Sequence, residues 1–164
     1  MIIDYPHRQV NQLHRNLSRI AVVAWAILIF HLSHQPVQVS RELSTSVTEI
    51  VVESIRTWQP DHAYTIADLH VFVRKSAHML LYFVFGGLVL HALSIRTRPD
   101  IRRMLLALTV CVSYALTDEW HQLYVPGRGA QLRDVLIDTT GAMLGILTYK
   151  LAHLLITRLY LHRQ

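Results

Sequence analysis

Residues 76–95 read SAHMLLYFVFGGLVLHALSI, a run without a single Asp, Glu, Lys or Arg and as long as the roughly 20 helical residues that cross a bilayer. In hydrocarbon the backbone must satisfy its own hydrogen bonds, so such a run reads as a transmembrane helix. Working outward, residues 20–32 (IAVVAWAILIFHL) are apolar apart from His31 but too short to span alone. Extending the helix back to about residue 14 supplies the length, with Arg15 and Arg19 reaching the headgroups along their aliphatic stems. A cleaved secretory signal would also begin with basic residues and a short apolar run, but no small-residue cleavage pattern follows, and the segment reads as a retained anchor. Downstream, residues 104–117 run into Asp118 and Glu119 and continue to Val125 before Pro126 and Gly127 stop the helix. A fourth span covers 134–157, where Gly141 and Gly145 form a GxxxG face suited to close helix contact.

The expectation is therefore an all-α, polytopic membrane bundle in a single domain of 164 residues, with spans near 14–33, 75–95, 104–125 and 134–157. Between the first two, Leu43, Val47, Ile50, Val51, Ile55 and Trp58 recur at helical spacing, predicting an amphipathic helix over 41–58 on the outer surface. Thr65 and Asp68 are placed to cap a further helix leading into the second span. Composition agrees: 52% of residues are hydrophobic and the mean hydropathy is +0.29, too apolar for an ordinary soluble domain. The lone Cys111 forms no intramolecular disulfide and reads as lipid-facing or core filler.

A net charge of +5 would, if evenly spread, raise nucleic acid as a partner. Its distribution excludes that reading. Arg8, Arg15, Arg19, Arg96, Arg98, Arg102, Arg103, Lys150, Arg158 and Arg163 fall on one side of the spans with only Asp4 and Asp100, while six basic residues and nine acids fall on the other. Cytoplasmic segments retain lysine and arginine, so the sequence predicts a multi-pass protein of the cell membrane with both termini cytoplasmic and loops 34–74 and 126–133 outside. The lipid bilayer is its first partner.

Charged residues within spans are costly and usually face a protein interior or a watery cavity. Here they form three stripes at one predicted depth. Arg74, His78 and Tyr82 follow i, i+4, i+8, with Lys75 three residues before His78; Asp118 and Gln122 are i, i+4, with Glu119 beside them; Asp134 and Asp138 repeat that spacing. The Pro126, Gly127, Arg128, Gly129 turn holds Arg128 next to these stripes. Two accounts stay open at this point. The cations neutralise the four carboxylates and only lock helices together, or the groups share a partly dehydrated cavity fit for ligand binding or acid/base chemistry. His78 and His121 lie among carboxylates, but no metal-ligand spacing is present, and the expectation is of no metal and no cofactor. His31, His91 and His153 read as interior hydrogen-bonding residues, and the SHQP turn at Ser33 to Pro36 as the end of the first span.

At these residues the chain resembles the VanZ-like family of bacterial membrane proteins, named for a member linked to resistance against the glycopeptide teicoplanin. The resemblance runs over roughly residues 20–150. It rests on SxQP at Ser33, Gln35 and Pro36; RKxAHxxxYxxxG at Arg74, Lys75, Ala77, His78, Tyr82 and Gly86; DExxQ at Asp118, Glu119 and Gln122; the PGR turn ending at Arg128; and DxxxDxxG at Asp134, Asp138 and Gly141, closed by Gly145. Many members carry Phe and Glu where this chain has Met79 and Leu81, and Asn where it has Asp138. The missing acid at Leu81 leaves the second-span cations more dependent on other helices. The resemblance implies a multi-pass membrane protein tied to glycopeptide tolerance or envelope chemistry, and supplies no reaction.

Three functions follow as expectations. The first is a cell-envelope protein whose outer cavity, lined by Arg74, Lys75, His78, Tyr82, Asp118, Glu119, Gln122, Arg128, Asp134 and Asp138, binds the anionic headgroup of a lipid-linked or cell-wall precursor. The second is a hydrolase or transferase on an envelope lipid, with His78 or Glu119 as general acid/base and Asp118 or Asp134 orienting it. The third is a non-catalytic interaction subunit that presents the amphipathic outer segment to a partner.

Overall fold

The computed structural model describes residues 5–36, Thr45 and residues 66–161. Four helices run through them: α1 (Tyr5–Ser33), α2 (Ile66–Ser94), α3 (Ile101–Gln122) and α4 (Leu132–Leu161). Apart from Thr45, the predicted amphipathic segment 41–58 lies outside the described residues, as does the cap at Thr65. α1, α2 and α4 are long and apolar enough to cross a membrane, over Gln12–Ser33, Leu69–Ser94 and Leu132–Leu159.

Short connections make successive helices α2, α3 and α4 antiparallel. α2 packs most extensively on α4, α3 lies against both, and α1 docks chiefly on α2. The α2–α4 contact is set by glycine. A methyl at Gly141 would overlap the Met79 carbonyl, one at Gly145 the Phe83 carbonyl, and one at Gly86 the Ala142 carbonyl. Backbone therefore meets backbone along this seam, as small-residue motifs allow. Around it Ile29, Tyr82, Phe85, Leu90, Ala107, Cys111, Ala142 and Ile146 form the buried core. The outward faces carry exposed Leu17, Ile20, Ile27, Phe72, Leu80, Leu105, Leu106, Leu144, Leu151 and Leu155, the inverse of a water-soluble bundle and the surface lipid requires.

Two polar contacts fix α1. The Trp25 indole Nε1 donates to the Leu81 carbonyl at 2.9 Å, and the Tyr114 hydroxyl donates to the Ala26 carbonyl at 2.6 Å. α3 starts where Asp100 caps it, its carboxylate accepting from the Arg103 amide at 2.9 Å. That bond holds the Asp100 carboxyl below the usual carboxylate range, opposed by desolvation and assisted by the Arg103 and Arg102 charges. A depressed value means that the cap contributes above the ordinary carboxylate pKa and is lost as pH falls through the folded one. The protection of the Arg103 amide against exchange, corrected for the intrinsic rate at each pH, is expected to fall on acidification in the wild type and to be low at all pH in Asp100→Ala; unchanged protection in the variant would remove the cap from the account.

α3 ends earlier than the sequence predicts. Its last helical residue is Gln122, and Leu123, Tyr124 and Val125 follow in tight turns, bonding back to Trp120, His121 and Gln122. Gly127, at φ 77°, then takes a left-handed conformation that only glycine adopts without strain, and the Arg128 amide returns to the Val125 carbonyl at 3.1 Å. Conversely α2 starts nine residues before the predicted span, so Arg74 and Lys75 stand inside a continuous helix.

Candidate functional site

All three polar stripes, the Arg128 turn and the C-terminal end of α1 lie at one end of the bundle. The arginine-rich α2–α3 connection lies at the other, where Lys150 donates to the Pro99 carbonyl. A pocket of about 290 Å³, counting the space open to solvent at its mouth, is lined by Arg74, Lys75, His78, Glu119, Gln122, Arg128, Asp134, Ile137 and Asp138. Eight of the ten binding residues expected from sequence therefore share its wall. The other two, Asp118 and Tyr82, are buried, Asp118 one residue from a wall residue and Tyr82 one turn along α2 from His78.

The i, i+4 periodicity produces this convergence. α2 turns Arg74, His78 and Tyr82 toward α3 and α4, while Val71, Phe72 and Leu80 stay exposed. α3 buries Asp118, Glu119 and Gln122 and exposes Leu116 and Trp120.

The pairing within the pocket is selective. Lys75 bridges to Asp134 in a short ion pair between α2 and α4. The Glu119 carboxylate accepts from the Gln131 amide at 2.7 Å, tying α3 to the loop before α4. His78 Nδ1 lies 3.8 Å from Asp138 Oδ2, too far for a hydrogen bond. Ser33 is fully buried and its hydroxyl donates to Asp118 Oδ2 at 2.7 Å. The SHQP turn thus does more than end α1: its serine orients a site carboxylate. No local pattern links Ser33 to Asp118, because the two are 85 positions apart.

Arg74 and Arg128 behave differently. Among the described residues neither makes an ion pair, and the buried Arg128 Nε has no hydrogen-bond partner. Lys75 is thus locked to a carboxylate by direct contact, whereas the two arginines make no such contact among the described residues. Burial, and after it the neighbouring Arg74 charge, pull Arg128 below its ordinary value, partly opposed by Asp118, Glu119 and Asp134; a guanidinium stays protonated regardless. Two like charges face one small pocket with no carboxylate locked to either.

The remaining histidines separate from the site. His121 pairs with His34, Nε2 to Nδ1, at 2.9 Å, with Phe30 stacked against both rings, so it does not join the carboxylates. His91 Nδ1 meets the Tyr149 hydroxyl at 2.9 Å near the opposite end, as an interior histidine should, and His153 stacks on Tyr149. His31 is exposed on the bundle surface and makes no interior contact of the expected kind.

Residues 19–153 match the family model VanZ/LLP1. The chain belongs to the VanZ/LLP1 family. The match takes in every helix of the bundle and every wall residue of the pocket, so the SxQP, RKxAHxxxY, DExxQ, PGR and DxxxD motifs all contribute to one end of the VanZ/LLP1 domain. No curated protein and no solved structure matches the chain.

Proposed function

We propose that this VanZ/LLP1 protein is a multi-pass protein of the bacterial cell envelope whose pocket binds the anionic headgroup of a lipid-linked or cell-wall precursor. The observation that carries the reading is the pair Arg74 and Arg128, half-buried at a pocket wall without an ion-pair partner among the described residues. Uncompensated charge in a dehydrated site is costly, and an anionic ligand removes that cost. A guanidinium fork suits phosphate, which it engages through two parallel N–H donors. Lys75, held by Asp134, adds positive potential, while Glu119 and Gln122 offer acceptors and donors to hydroxyls. The acyl part would lie along the exposed apolar faces.

In this reading α3 is a fourth span, since Leu105, Leu106, Val110, Leu116 and Trp120 form an exposed apolar face opposite its inward acids. The excess of lysine and arginine at the far end supports a topology with both termini in the cytoplasm and the pocket outside. Exposed Trp120 and Tyr124 suit the outer interface. A pocket there, by sequestering or presenting a precursor, connects to glycopeptide tolerance by changing what teicoplanin meets at the cell surface. Protein purified in mild detergent is expected to retain a phosphate-bearing lipid, identified by mass spectrometry of the extract, and Arg128→Ala to lose it. Equal retention by Arg128→Ala would count against the reading.

A second reading has its own support. His78 lines the pocket 3.8 Å from Asp138, across from Glu119, an arrangement that suits acid/base hydrolysis or transfer on the bound headgroup. Loss of turnover on envelope lipids in both His78→Ala and Glu119→Gln would favour it, and wild-type turnover in both excludes it.

A further inference from the structure

His78 of α2, Asp118 of α3 and Asp138 of α4 each offer one donor atom, and the three atoms lie within 4.8 Å of one another. Two donors on one ion are separated by up to about twice the metal–ligand length of 2.0–2.6 Å, so small side-chain movements bring the three onto a single ion. Asp118 is 3% exposed and Asp138 1%. Each carboxylate keeps one oxygen, Oδ1, buried and without a hydrogen-bond partner.

A further observation points to the same place. Tyr82 is 0% exposed, its hydroxyl has no partner, and the charges of both Asp118 and Asp138 act on it. Three unpartnered buried oxygens on neighbouring side chains are the exception in folded proteins, where such atoms are nearly always satisfied. The nearest lysine does not satisfy these oxygens, because Lys75 is taken by Asp134. A divalent cation would satisfy both Oδ1 atoms and neutralise the two carboxylates at once.

We propose that His78, Asp118 and Asp138 form a divalent-cation site at the floor of the pocket, with the Tyr82 hydroxyl beside it. One nitrogen and two carboxylate oxygens suit Zn2+ or Mn2+, whereas Ca2+ and Mg2+ take all-oxygen sets. The supporting contact is present: the Ser33 hydroxyl holds Asp118 Oδ2 and leaves Oδ1 unpartnered, the role outer hydrogen bonds play at metal centres. His78 and Asp138 also line the pocket wall, which leaves the ion a position open toward a ligand oxygen, as in sites where a metal polarises a substrate. The donors are 40 and 20 positions apart along the chain. That separation is why the absence of any local ligand spacing led to an expectation of no metal. The site stands independently of the headgroup reading.

The test uses the full chain in nanodiscs, stripped with a chelator, then exposed to micromolar Zn2+ or Mn2+ and analysed by elemental mass spectrometry and, for Mn2+, by electron paramagnetic resonance. One tightly held ion per chain is expected. His78→Ala, Asp118→Asn and Asp138→Asn should each weaken it by at least about tenfold, with helix content checked by circular dichroism. Asn is close in shape to Asp, so a variant that stays folded and still loses the ion separates ligation from stability. Arg128→Ala should keep the ion while losing the lipid. A wild-type chain that holds no stoichiometric ion, or folded Asp118→Asn and Asp138→Asn variants that bind it as the wild type does, overturns the site.

Discussion

Replacing Gly145 by alanine is expected to dismantle the packing of α2 on α4, whereas the same change at Gly87 should be harmless. The two positions face each other across the seam, and the difference is spatial. A Cβ at Gly145 would fall on the Phe83 carbonyl, which is helix backbone and has no rotamer to yield, while a Cβ at Gly87 would sit 3.7 Å from the Gly145 carbonyl in ordinary contact. Overpacking typically costs about 1–3 kcal/mol, and here relief requires separating two whole helices, so more than about 3 kcal/mol is expected. Gly87→Ala should be neutral or stabilising by up to about 1 kcal/mol, because alanine is the better helix former. Thermal unfolding in detergent measures both. Equal effects of the two substitutions would show that the seam is not closed by backbone contact.

A second large effect concerns Lys75 and Asp134, which join α2 to α4 inside the pocket wall with side chains 20% and 21% exposed. Lys75→Met leaves the Asp134 carboxylate without its partner. Breaking a fully buried pair costs about 3–5 kcal/mol, and residual solvent access reduces this to about 1–3 kcal/mol. The double variant Lys75→Met/Asp134→Leu removes both charges and should recover most of the loss, since an apolar pair of similar volume is often no worse than an ion pair. A double-mutant cycle by chemical denaturation checks the coupling. Purely additive losses would mean that the bridge adds nothing.

These two predictions rest on features that differ in how legible they are along the chain. The GxxxG of Gly141 and Gly145 and the i, i+4 stripes are local patterns, and helical geometry converts them directly into shared faces. From them the three-stripe end of the bundle could be anticipated, down to eight wall residues. Pairing could not, because which carboxylate takes which cation depends on helix rotation and depth. Lys75 meets Asp134, while Arg74 and Arg128 are left for a ligand. Ser33 and Asp118, or His34 and His121, meet only because α1 docks beside α3. The His78, Asp118 and Asp138 trio is equally invisible in one dimension, with one donor from each of three helices. The early end of α3 has a local cause that hydropathy conceals: residues 123–125 are apolar enough to extend a span, yet the turn that places Arg128 requires them to leave the helix.

The account as a whole depends on Arg74 and Arg128 serving a ligand and not the fold. The most direct test compares wild type with Arg74→Gln/Arg128→Gln in nanodiscs, titrating a lipid with a phosphate monoester headgroup against a zwitterionic lipid of the same chains by native mass spectrometry. Wild type should select the phosphate monoester. The double variant should lose about 2–5 kcal/mol of that preference, roughly 30-fold to several thousandfold, the range for removing charged partners from a buried contact, while unfolding at a temperature close to that of wild type. A double variant that selects the phosphate lipid as strongly as wild type, or that no longer folds, would contradict the account.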